Sequence, residues 1–279
     1  MNLWLPRLLV SLVVLFTLTA CVNAPAKMDL MAADYGFNRS QVQGQGFQHI
    51  VYSRQGELDS QTVHVYVEGD GRPWLHGRYI AEDPTPLKPL ALTLANRDVQ
   101  NTVYLGRPCY LGLYSSPECD EQFWTSARYA PKVVASMVAA LQIILSEPNS
   151  TEVVLIGYSG GGSLVMLMAD KLLELGIKLT TVVTVAANLD TDGWTRSHGF
   201  LPLDNSLNPM LQHYSKHFKH LHFIGQNDQN VYLDSSAQFV LRHGGQRVVL
   251  ANFDHSCCWL PQWPELLAKG LAQAQVSMQ

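Results

Sequence analysis

The chain has 279 residues, of which 47% are apolar and 15% charged, with a formal net charge of −4. That balance excludes the basic surface of a nucleic-acid-binding protein and the acidic, apolar-poor composition of a disordered one. The length suits one sizeable α/β domain and is too short for two comfortable ones.

The first predicted element is a leader. Arg7 and the α-amino group supply the positive end, and Leu8 to Leu18 is an apolar run shorter than the about 20 residues that span a bilayer. The run ends in Leu18-Thr19-Ala20-Cys21, which resembles a bacterial lipobox. The resemblance implies that residues 1–20 are a lipoprotein signal peptide and that Cys21 is acylated. It places the mature protein in the bacterial cell envelope, anchored to a membrane by lipid. Val22 after Cys21 points to the outer membrane, facing the periplasm. Residues 21–48 are polar and weakly periodic and read as a tether, which leaves 49–279 as the folded domain.

Strand-like and helix-like segments then alternate, as in a parallel sheet with helices on both faces. Strands are expected at 62–68, 101–106, 152–156, 180–186, 220–224 and 246–251, and helices at 90–96, 128–145 and 163–175. Between the second strand and the long helix runs a Gly-, Pro- and Cys-containing loop. Four cysteines follow Cys21: Cys109, Cys119, Cys257 and Cys258. In an oxidising compartment an even count favours disulfides. Three pairings exist, and Cys109 with Cys119 asks least of the chain. No cysteine pair has zinc-loop spacing.

The chemistry-bearing motif is Gly157-Tyr158-Ser159-Gly160-Gly161, between a buried strand and an amphipathic helix. A serine on so sharp a turn is crowded by the residues two before and two after it, so glycine is needed at both. The turn lifts the Ser159 hydroxyl above the sheet and aims the Gly160 N–H at a developing oxyanion. The Gly160-Gly161-Gly162 run lacks the register of a dinucleotide-binding loop.

On this motif in this context, the chain from about residue 60 onward resembles the α/β-hydrolase superfamily. The resemblance implies an α/β-hydrolase fold with a mostly parallel central sheet. It also implies a triad in the chain order serine, acid, histidine. Asp228, in the loop after the 220–224 strand, stands where the acid would fall. His255, after the next strand, stands where the histidine would fall. Asp190 and Asp192 are the alternative acids, and Asp254 reads as a turn residue. The second oxyanion donor would come from Glu68-Gly69-Asp70-Gly71, with the Asp70 N–H as candidate; Glu68 stands where the family usually has histidine.

Several residues remain ambiguous between pocket and packing: Trp74, Tyr110, Trp259 and the 188–209 segment with Trp194, Phe200, Leu201 and Leu203. His213 and His217 have i, i+4 spacing without the glutamate of a zinc-binding helix, and His220 and His222 open a strand, so no metal is expected. The reading is a serine hydrolase that cleaves carboxylic ester or related acyl bonds of a small-molecule or lipid substrate through an acyl-enzyme, with no cofactor. Peptidase and thioesterase chemistry use the same triad. The rival is a non-catalytic envelope lipoprotein that uses the fold as a binding module.

Overall fold

The computed structural model describes residues 23–58, 60–146 and 152–276. The signal peptide expected at 1–20 and Cys21 lie outside these residues. The chain runs α1 (Ala24–Asp34), β1 (Asn38–Gln43), β2 (Gln48–Arg54), β3 (Thr62–Val67), a hairpin of β4 (Trp74–Leu75) and β5 (Tyr79–Ile80), then α2 (Leu90–Ala95) and β6 (Asn101–Leu105). It continues through α3 (Pro131–Leu145), β7 (Glu152–Tyr158), α4 (Gly160–Glu174), β8 (Leu179–Val185), α5 (Thr191–His198), β9 (Lys219–Gly225), α6 (Leu233–His243), β10 (Gln246–Leu250) and α7 (Trp259–Val276).

Eight strands form one sheet in the order β1-β2-β6-β3-β7-β8-β9-β10. From β6 to β10 every neighbouring pair is parallel, and β2 runs antiparallel to both β1 and β6. The inner strands β3, β7, β8 and β9 are buried along nearly their whole length. This explains why they read as continuous β-branched runs rather than alternating ones. Helices α2 and α7 pack on each other, as do α3 and α4, and both pairs cover the sheet. No helix among the described residues is long and apolar enough to cross a membrane.

The tether expected at 21–48 is corrected by this architecture. Within it, α1 buries Met28 and Ala32, Phe37 and Phe47 enter the core, and β1 pairs with β2 from Asn38↔Ser53 to Gln43↔Gln48. The folded domain therefore starts near residue 24 rather than 49. The physical reason is that β1 is an edge strand whose side chains are almost all exposed. Backbone hydrogen bonds hold it, and these leave no apolar period in Asn38-Arg39-Ser40-Gln41-Val42-Gln43.

Among the described residues two disulfides are present. Cys109 is bonded to Cys119, with Cα atoms 5.5 Å apart, and Cys257 to Cys258.

Candidate active site

Strand β7 ends at Tyr158 and α4 begins at Gly160, so Ser159 is the whole connection. Its φ of 50° and ψ of −123° lie where an L-residue is strained. The surroundings enforce the turn: Ser159 N–H donates to Val185 O at 2.9 Å, and Gly162 N–H donates to Ser159 O at 2.9 Å. Both flanking glycines are sterically required. A Cβ on Gly157 would stand 2.4 Å from Gly161 O, and one on Gly161 would stand 2.2 Å from Val67 O. Helix α4 thus packs with its first turn against the ends of β3 and β7, and begins three residues earlier than the apolar spacing predicts.

Two loops at the carboxyl ends of β9 and β10 meet the serine. His255 Nε2 lies 3.1 Å from Ser159 Oγ, and His255 Nδ1 lies 2.9 Å from Asp228 Oδ2. The other oxygen of Asp228 accepts the N–H groups of Asn230 and Val231, both at 2.8 Å. The Asp228 carboxylate is therefore buried but fully hydrogen-bonded, and the His255 ring is 21% exposed at its side chain. The Tyr158 ring packs beside the imidazole, with centroids 5.3 Å apart.

The alternative acids are committed elsewhere. Asp190 caps α5 through the Gly193 N–H and accepts from Asn208 Nδ2, while Asp192 sits in the first turn of that helix. Asp254 accepts the N–H groups of Ser256 and Cys257 and closes a turn beside His255. The structure brings Ser159, His255 and Asp228 into one line and leaves Asp190, Asp192 and Asp254 out of it.

The oxyanion candidates lie next to Ser159. A Cβ on Gly69 would stand 3.1 Å from Ser159 Cβ, so the loop after β3 passes against the elbow. Gly69 N–H donates to Glu68 Oε1 at 3.1 Å, whereas neither the Asp70 N–H nor the Gly160 N–H donates to another described residue. Both amides are therefore open to an acceptor from outside the described residues.

Asp70 is held by an arrangement that sequence reasoning missed. Its carboxylate accepts from Arg107 Nη1 at 2.6 Å, Arg128 Nη1 at 2.8 Å and Tyr129 Oη at 2.8 Å, and Tyr110 Oη donates to its carbonyl at 3.0 Å. The guanidiniums are almost wholly buried, with side chains 2% and 6% exposed. Burial alone would raise the Asp70 pKa, but Arg128 and Arg107 outweigh it and hold the carboxyl well below the ordinary carboxylate range. Glu68, behind the same loop, behaves oppositely. Burial pushes it up to about 7 against the pull of the Gly69 and Ala91 N–H groups. No local signal joins Asp70 to residues 37 and 58 positions away; only the fold does.

Replacing Asp70 by alanine is expected to cost about 3–5 kcal/mol, because two buried guanidiniums lose their counter-ion. Urea denaturation would measure it. The sign with pH follows from the depressed pKa. The ion-pair contribution is complete above the ordinary carboxylate range and is lost as pH falls through and below it, where the unfolded chain binds the extra proton. The wild-type advantage over Asp70→Ala should therefore shrink below about pH 4.

The remaining candidates divide. Tyr110 is buried and belongs to the Asp70 support, and Trp259 is a core residue whose Nε1–H donates to Asp254 O at 3.1 Å. Trp74 lies exposed on the β4–β5 hairpin, and Phe200 and Leu201 are exposed after α5. His220 and His222 are buried against each other, and burial lowers the pKa of both. No group of three metal-ligating side chains occurs among the described residues.

Comparison with known families and structures matches the chain to a serine hydrolase family. The profile of the family described as "Serine hydrolase (FSH1)" matches residues 103–257, more than half of the chain. No curated protein matches the sequence. Among solved structures, the chain is similar to an α/β serine hydrolase without a lid from Xanthomonas campestris, at 12% identity and a TM-score of 0.55. That match covers 85% of this chain and 94% of the other. It is also similar to an esterase from Pyrococcus furiosus, at 12% identity and a TM-score of 0.59, covering 87% and 92%. Est1E from Butyrivibrio proteoclasticus matches at 12% identity and a TM-score of 0.55, covering 84% and 99%. These likenesses show the α/β-hydrolase fold.

Proposed function

Since the chain belongs to the FSH1 serine hydrolase family, we propose that it cleaves carboxylic esters or related acyl compounds through an acyl-enzyme on Ser159. One observation carries the reading: the unbroken line from Ser159 Oγ through both nitrogens of His255 to Asp228, at 3.1 and 2.9 Å. A hydroxyl is a weak nucleophile until a base takes its proton. His255 Nε2 accepts that proton as Ser159 Oγ attacks the acyl carbon, and Asp228 stabilises the imidazolium formed. The carbonyl oxygen gains negative charge and is held by the Gly160 and Asp70 N–H groups. The imidazolium then protonates the leaving alkoxide. Water, deprotonated by the same imidazole, attacks the ester of Ser159 and releases the acid.

The strained backbone of Ser159 and the Asp70 clamp support this reading, since both pre-set groups that must not move during the reaction. A fluorophosphonate probe tests it. The described domain should take up one phosphonyl group, and peptide mass spectrometry should place it on Ser159. No adduct, or an adduct elsewhere, would overturn the proposal. Activity on acyl esters above that on amides and thioesters of the same chain is the expected substrate order. For location, the lipobox supports acylation of Cys21. Cys21→Ser is expected to shift the full chain from the membrane to the soluble fraction on cell breakage, and an unchanged distribution would dismiss the anchor.

A further inference from the structure

The loop that supplies Asp228 also supplies a third group to His255. Asn230 Nδ2 lies 3.0 Å from His255 Nε2, as close to that nitrogen as Ser159 Oγ at 3.1 Å. The amide's orientation is set from its other end. Trp194, on α5, has an indole N–H that can only donate. It reaches Asn230 O at 3.0 Å and Asn230 Oδ1 at 3.2 Å. The oxygen of the Asn230 amide thus faces Trp194, and its NH2 faces His255.

A neutral imidazole that carries its proton on Nδ1, donated to Asp228, has one lone pair on Nε2. Two donors converge on it, the Ser159 hydroxyl and the Asn230 amide. Once Nε2 is protonated it too is a donor, and the Asn230 NH2 opposite becomes a mismatched neighbour. We propose that Asn230 is a positioning residue that holds His255 as the neutral, Nδ1-protonated base and shares its Nε2 lone pair with Ser159 until substrate enters. Trp194, through its bond to Asn230, ties that restraint to α5 and to the aromatic residues packed around it, His198 and Phe200 beside Trp194 and Tyr232 stacked on His198.

The inference rests on His255 serving as the general base, so its test has a readout independent of turnover. The midpoint of the His255 imidazole titration would be followed by NMR, with the resonance assigned by its loss in His255→Gln. The charged and titratable groups facing the ring are Asp228 on Nδ1, Tyr158 beside it, Asp254 next in the chain and Glu68 behind Tyr158. None is altered by the variants. Asn230→Ala removes the donor to the neutral form and is expected to raise the midpoint by about half to one pH unit, the worth of one hydrogen bond. Asn230→Asp, nearly the same shape, replaces the donor with an acceptor for Nε2–H and should raise it by more than one unit. The acid limb of kcat/KM should move with it. Equal midpoints in the wild type and both variants would overturn the inference, as would a loss of thermal stability with no shift, which is what a purely structural asparagine gives. Failure of the hydrolase reading is seen separately, as absence of the fluorophosphonate adduct in the wild type.

Discussion

Replacing Ser159 by alanine is expected to lower kcat on an ester substrate by on the order of 10⁶-fold, with the thermal unfolding midpoint close to that of the wild type. The activity loss follows from the array itself. Without Oγ there is no nucleophile for His255 to activate, and the amides of Gly160 and Asp70 retain only the residual rate that an oxyanion site provides with bound water. The stability expectation has a different origin. Ser159 sits at a φ of 50°, outside any helix or strand, and its side chain's only hydrogen bond within the described residues is to His255. Its backbone bonds to Val185 and from Gly162 remain in the alanine variant. A large drop in both activity and stability would mean that Ser159 is chiefly structural. Undiminished turnover would remove it from the reaction altogether. Kinetics with an ester of adequate solubility, paired with a melting curve, separates these results.

Asp228→Asn should be the next most severe change, lowering kcat by about 10⁴-fold while the fold persists. The asparagine oxygen can keep the N–H groups of Asn230 and Val231 that Asp228 Oδ1 accepts. Its NH2 then replaces the oxygen that faces His255 Nδ1 at 2.9 Å. Facing a donor, the ring carries its proton on Nε2 instead, and the nitrogen beside Ser159 can no longer accept one. The matched control is Asp190→Asn. Asp190 caps α5 and touches Asn208, and an asparagine there caps about as well, so this change should cost well under about 1 kcal/mol and leave kcat within a few-fold of the wild type. The reverse outcome, with Asp190→Asn inactive and Asp228→Asn active, would transfer the acid role to the loop after β8.

The elbow was legible because its constraints are local. Gly157, Ser159 and Gly161 obey a five-residue spacing, and a Cβ on Gly157 would stand 2.4 Å from Gly161 O within that span, while Gly161 is crowded by Val67 O of β3, a contact the fold adds. The buried strands were legible for a similar reason, since burial on both faces leaves a continuous apolar run in the chain. The placement of Asp228 and His255 came from chain order, and their convergence on Ser159 comes from β9 and β10 ending beside β7 and β8 at the carboxyl edge of one sheet.

What remained hidden depends on residues far apart in sequence. Strand β1 has no apolar period because it is an edge held by backbone bonds. Asn230 carries no signal of its own in the sequence, and its amide acquires meaning only from Trp194, 36 positions away, which decides which of its two ends faces His255. Asp70 read only as the source of a useful N–H, while its carboxylate is held by Arg107 and Arg128. Spacing along the chain specifies where a backbone must bend and which faces must be buried, because those requirements act over a few residues. Which charges pair, which acid reaches the imidazole and which amide end meets it are set by tertiary structure, since a polar side chain's partner is whatever donor or acceptor packing brings within about 3 Å.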